Sequence, residues 1–184
     1  MMKLKMRNAL LATVLVAAAG GVAIAKNPMV GGAAMYANKT IVQNAVNSRD
    51  HTTLVAAVKA AGLVDTLSGR GPFTVFAPTN AAFNKLPAGT VDTLVMPENK
   101  PMLTKILTYH VVAGRMTSAQ IAAKIRAGHG MAHLTTVQGE RLMARMQGKW
   151  LVLTDAKGGK SRVTTADVMQ SNGVIHVVDT VLMP

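Results

Sequence analysis

The chain has 184 residues, 49% of them apolar and only 3% aromatic, with no cysteine and 20 Lys+Arg against 8 Asp+Glu. That length suits one domain, and zero cysteine excludes disulfides, thiolate metal sites, a cysteine nucleophile and a lipid-bearing cysteine. A mean hydropathy of +0.27 argues against a disordered chain, and three Phe, two Tyr and one Trp are too few to stack bases, so nucleic acid is not an expected partner.

Residues 1–25 read as a cleavable leader. Lys3, Lys5 and Arg7 form a basic start without an acid, Ala9 to Ala19 is apolar, and Ala23-Ile24-Ala25 offers small residues to a signal peptidase, with the cut after Ala25. The uncharged stretch from Asn8 to Ala25 contains Gly20-Gly21 and falls short of the roughly 20 residues of a membrane span. Removing the three leader bases from 20 leaves 17 against 8 acids, so the exported chain stays basic. Export without cysteine predicts a secreted or periplasmic bacterial protein.

Residues 26–38 are small, Gly-containing and aperiodic, which predicts a linker or flexible N-terminal arm. Ile41, Val42, Ala45 and Val46 keep helical spacing. Leu54, Val55, Val58, Ala61 and Leu63 keep it on a second helix, opened by Ser48 or Asp50 and closed by Gly62. Phe73 to Ala77 reads as a strand between Gly71-Pro72 and Pro78, and Thr79 or Asn80 caps a short helix holding Phe83 and Leu86. Pro101 suits the first turn of a helix with Met102, Leu103, Ile106 and Leu107 on its apolar face, and Val111-Val112 follows as strand. Thr117 or Ser118 opens a further helix that stops at Gly128. The period then changes to two. Leu134 to Val137, Leu142 to Met146, Trp150 to Thr154, Ser161 to Thr165 and Val174 to Val178 are strands, the last apolar enough to be central, with Asn172-Gly173 suiting a tight turn at φ > 0. Helices first and a β meander after them predict an α+β domain with one core.

Three stretches together resemble the fasciclin domain family. They are Gly71-Pro72-Phe73-Thr74-Val75-Phe76-Ala77-Pro78-Thr79-Asn80-Ala81-Ala82-Phe83, then Ile106-Leu107-Thr108-Tyr109-His110-Val111-Val112, then Asn172 to Pro184. The resemblance covers about residues 39 to 184 and implies a wedge-shaped β-sandwich with helices packed along it. It also implies an extracellular adhesion or interaction module without catalytic activity or a cofactor. Tyr109 and His110 match the family's Tyr-His motif and are expected as structural residues or, failing that, partner contacts. The closing Asp179-Thr180-Val181-Leu182 lacks the acidic tripeptide that the family's animal members carry for integrins, so integrin recognition does not transfer.

Enzyme signatures fail on inspection. Gly158-Gly159-Lys160-Ser161 ends like a phosphate loop, but Thr154 stands where the leading glycine belongs. No Gly-x-Ser-x-Gly elbow occurs, and the acids are scattered. His129 and His133 are four apart without the metalloprotease glutamate. With Met131 they form a weaker alternative, a loop for a soft metal such as Cu(I) in a small-ligand or copper protein.

The charge concentrates late in the chain. Residues 141 to 162 hold Arg141, Arg145, Lys149, Lys157, Lys160 and Arg162 against Asp155. Strand alternation puts Arg141, Met143 and Arg145 on one face and Leu142, Ala144 and Met146 on the other. This basic face is either plain solvated sheet surface or a binding surface whose contacts are Arg141, Arg145, Lys149 and Arg162, for a protein or acidic polysaccharide of the envelope or matrix or for an anionic membrane surface.

Overall fold

The computed structural model describes residues 27–184, so the leader expected over residues 1–25 lies outside the described part. The stretch expected as a loose arm carries a hairpin instead. Met29–Val30 (β1) and Ala33–Ala34 (β2) pair antiparallel, and Val30 and Met35 are buried. Strands of two residues show no alternation, so the sequence pattern conceals them.

Helix α1 (Ile41–Ala45) starts on a capping box in which Thr40 and Gln43 satisfy each other's backbone amides. A 3₁₀ turn, Arg49–His51, leads into α2 (Thr52–Ala61), which buries Leu54, Ala57, Val58 and Ala61 and ends on Gly62 at φ 71°. Neither Ser48 nor Asp50 caps α2, since the turn intervenes and the Ser48 hydroxyl bonds His51 Nδ1 at 2.9 Å. Thr79 caps α4 (Asn80–Phe83), and a Thr117–Gln120 capping box starts α7 (Ser118–Ala127). Between them, α6 (Lys100–Tyr109) carries Pro101 in its first turn. Two further helices, α3 (Val64–Ser68) and α5 (Thr90–Leu94), are too short for periodicity to reveal.

The remaining strands are β3 (Phe73–Pro78), β4 (Val111–Ala113), β5 (Ala132–Thr135), β6 (Arg141–Gln147), β7 (Trp150–Thr154), β8 (Lys160–Gln170) and β9 (Gly173–Val178). They form one seven-stranded sheet in the order β4-β3-β9-β8-β7-β6-β5, antiparallel except for the β3–β9 pair. Strand β8 pairs with β7 through Lys160, Ser161 and Arg162 and with β9 from Val163 onward, and two register shifts within the β9 pairing help it carry the sheet around a bend. A bridge between Val112 and Thr136 brings the β4 and β5 ends together, leaving the sheet almost closed on itself.

Two buried clusters result where the pattern suggested one. Val75 and Ala77 of β3 and Ile175 and Val177 of β9 face the helices α1, α2 and α6. Phe76 and Val178, one residue out of step, face the interior of the curled sheet with Tyr109, Leu142 and Leu153. Strands buried on both faces read as unbroken apolar runs, which is how β3 and β9 appear in the sequence.

Candidate functional site: a basic sheet face backed by Tyr109 and His110

On β6, Leu142 and Ala144 are fully buried while Arg141 and Arg145 are exposed and Met143 is half-buried, as alternation requires. Met146 departs from that expectation. It is 41% exposed, although Leu151 opposite it is buried in the core, and it lines an open hollow of about 310 Å³ with Ser118, Ala122, Lys149 and Trp150. Register across the strands then assembles the outer face. Arg145 stands opposite Val152, and Val152 opposite Arg162; Met143 stands opposite Thr154, and Thr154 opposite Lys160.

Trp150 organises one end of this face. Its ring has Lys149 Nζ at 5.2 Å and the Arg162 guanidinium at 4.9 Å, within reach of the ring quadrupole. Arg162 also meets Asp179 at 3.5 Å and donates its backbone amide to the same carboxylate at 2.9 Å. Arg141, Arg145, Lys149 and Lys160 make no ion pair among the described residues. The acid within this segment is turned inward. Asp155 accepts from the amides of Lys157 (3.0 Å), Gly159 (2.7 Å) and Met183 (3.0 Å), holding the β7–β8 turn and docking the C-terminal segment. A Cβ at Gly159 would lie 2.6 Å from a carboxylate oxygen of Asp155, so a side chain there would displace the carboxylate that holds this turn.

Tyr109 and His110 lie behind the face and not on it. Tyr109 is fully buried; its hydroxyl donates to the Arg141 carbonyl and accepts from the Ala156 amide, both at 3.1 Å. That one phenol ties the end of α6 to β6 and to the β7–β8 turn. His110 Nδ1 bonds the Ile106 carbonyl at 2.9 Å and Nε2 accepts from the Leu182 amide at 3.0 Å, an arrangement that requires the neutral Nδ1–H tautomer. Burial drives its pKa down to about 4, against a smaller opposing effect of the Ile106 carbonyl. Burial takes both residues out of reach of a partner, so their role as direct contacts is withdrawn and their structural role remains.

His129, Met131 and His133 follow α7 through a turn in which His129 has φ 55°. His133 projects from β5 opposite Met143, and the Arg145 guanidinium approaches the Met131 thioether at 3.6 Å. A cation already placed against the sulfur opposes a metal ion there. No cluster of three or more His, Cys, Asp or Glu side chains suited to a metal occurs among the described residues.

The sequence placed Lys160 in the basic cluster and Trp150 at the start of a strand but left both out of the expected contacts. Their outward positions follow from the alternation of β7 and β8, so that signal was present, but the contact of Trp150 with Arg162 joins residues on different strands and needs the register.

The fasciclin domain family model matches residues 49–184. The chain belongs to the fasciclin domain family. Among curated relatives, "Protein sll1483" of Synechocystis is 49% identical over 160 residues, covering 86% of this chain and 81% of that protein. The "Cell surface glycolipoprotein MPB83" of Mycobacterium bovis is 36% identical over 166 residues, covering 87% and 68%. The FAS1 domain pair of the insect cell adhesion molecule Fasciclin I superposes with a TM-score of 0.69 at 21% identity, covering 79% of this chain and 51% of that one, a likeness of fold. The α+β class and the sandwich-like sheet expected of a fasciclin domain are both present. Among the described residues, no helix is long and apolar enough to cross a membrane.

Proposed function

We propose that this fasciclin domain is an exported, non-catalytic adhesion module whose basic sheet face holds an acidic polysaccharide of the cell envelope or matrix. One observation carries the reading: Arg141, Arg145 and Lys160 project from one face, with Lys149 in the β6–β7 turn at its edge, all without acidic partners among the described residues, beside a Trp150 ring that pre-positions Lys149 and Arg162. Cations held along a sheet match a polymer with charges repeated along its length. The half-exposed indole and the adjoining hollow add a platform for a sugar ring. Export rests on the basic, apolar and small-residue succession at residues 1–25, and the cell-surface description of MPB83 agrees with it.

The test is binding of the purified chain to its own envelope fraction at about 50 and about 300 mM salt, which shortens the screening length from roughly 14 to 6 Å. Binding should weaken about tenfold or more at the higher salt and fall comparably in an Arg141→Glu, Arg145→Glu double variant. Binding that ignores both changes, or no binding at either salt, would overturn the proposal. Digestion of the fraction with polysaccharide lyases separates an acidic sugar, whose removal abolishes binding, from a protein or lipid surface, which survives it.

A further inference from the structure

The opposite side of the molecule holds a different kind of site. Between α1 and α2, above β3 and β9, lies a cavity of about 190 Å³. Its floor is Val75 and Ile175, its walls are built chiefly from Val, Leu, Ile and Ala, and its mouth is formed by Val42, Val46, Val55 and Lys59. The only other polar residue in the lining is His110, whose two ring nitrogens are already bonded to Ile106 and Leu182. A buried water requires two to four polar partners, and this cavity supplies none that are free; an apolar cavity of about 150 Å³ stays dry and takes up benzene.

Polar anchors hold the cavity open. Asn172, from the β8–β9 turn, accepts from the Ile41 amide at 3.0 Å and donates to the carbonyls of Leu67 (2.8 Å) and Gly69 (2.9 Å), fixing α1 and α3 at set positions. Asn44 fixes α1 again, through Tyr36 and Gln170. Collapse of α1 onto α2 would break these buried bonds, so the helices cannot close the gap cheaply.

The mouth adds the decisive chemistry. Val46 is 48% exposed there, an apolar edge facing solvent. Lys59 is exposed beside it, the only charged residue of the lining, and makes no ion pair among the described residues. An apolar cavity with one unpaired cation at its opening complements an apolar tail with one anionic head. We infer that the cleft between α1 and α2 binds the hydrocarbon chain of a fatty acid, with its carboxylate paired to Lys59 at the mouth. The site is separate from the basic sheet face and stands or falls without it.

Octanoate and 1-octanol, which share a chain and differ in head charge, are the probes. Titration of the purified chain followed by amide chemical shifts should move residues of α1, α2 and β9 with both, leaving β6 and β7 in place. Lys59→Glu should weaken octanoate about tenfold while changing octanol little. Ala45→Leu, which fills the cavity, should abolish both, and Val46→Trp, at the exposed mouth, does the same by obstruction should the core variant misfold. Shifts absent from α1 and α2, or octanoate binding unchanged in Val46→Trp, would overturn the cavity as the site. Equal loss of octanoate and octanol in Lys59→Glu would overturn the carboxylate pairing.

Discussion

His110 couples the stability of this domain to pH, and the sign follows from its environment. Its pKa falls from 6.5 to about 4 in the folded chain because burial disfavours the imidazolium. Between those values the unfolded chain holds a proton that the folded chain does not, so stability is full above about pH 6.5 and declines as pH falls toward 4. From about pH 8 to about pH 5 the loss from His110 alone is on the order of 2 kcal/mol. His176 shifts in the same direction, burial again the largest cause, with Nε2 bonded to the Met116 carbonyl at 2.8 Å. Urea unfolding at the two pH values should show this loss, and His110→Gln, though less stable, should show a shallower dependence; an unchanged slope would remove His110 from the explanation. Tyr109→Phe tests the neighbouring contact. It removes the part-buried hydrogen bonds to the Arg141 carbonyl and the Ala156 amide, for a cost of about 0.5–1.5 kcal/mol at unchanged fold. The sequence pattern named both residues, yet it could not place them. Whether a Tyr-His pair faces a partner or the core depends on where Arg141 and Leu182 arrive, and those lie 32 and 72 positions further along.

The elements divide by how local their signals are. Capping boxes at Thr40 and Thr117, the C-terminal Gly62 and the alternation of β6 and β7 act within a few residues, and the sequence exposes them. The parallel pairing of β3 with β9 joins residues about a hundred positions apart and leaves no local mark. Asn172-Gly173 shows how a correct element can hide a different cause. Neither residue adopts the positive φ expected of a tight hairpin turn; Asn172 bonds α1 and α3, and Gly173 permits close approach of β9 to β3. A Cβ at 173 would lie 2.2 Å from the Phe73 carbonyl oxygen, and the backbone there has no room to yield. Gly173→Ala should therefore destabilise by about 1–3 kcal/mol, as overpacking does, read from the urea midpoint. A midpoint within error of wild type would mean that the β3–β9 ladder shifts freely, contrary to its burial on both faces.

At the scale of the molecule, the closing segment joins the two cores. Val181 packs into the cluster beneath the helices and Leu182 into the one inside the curled sheet. The Leu182 amide satisfies His110 Nε2, and the Met183 amide satisfies Asp155, which also holds the β7–β8 turn under the basic face. Deleting residues 181–184 thus opens both cores at once and leaves two buried acceptors unpaired. Loss of a buried Leu costs about 2–5 kcal/mol and each orphaned acceptor about 1–3, so the sum rivals the about 5–15 kcal/mol that stabilises an ordinary domain. The truncated chain should lack a cooperative urea transition. Deleting only residues 183–184 removes the Asp155 contact while keeping both apolar anchors, and should cost no more than about 3 kcal/mol with the transition intact. Similar losses in the two deletions would mean that the Asp155 contact, and not the joining of the cores, dominates. That outcome would also tie the stability of the domain directly to the turn that presents its basic face.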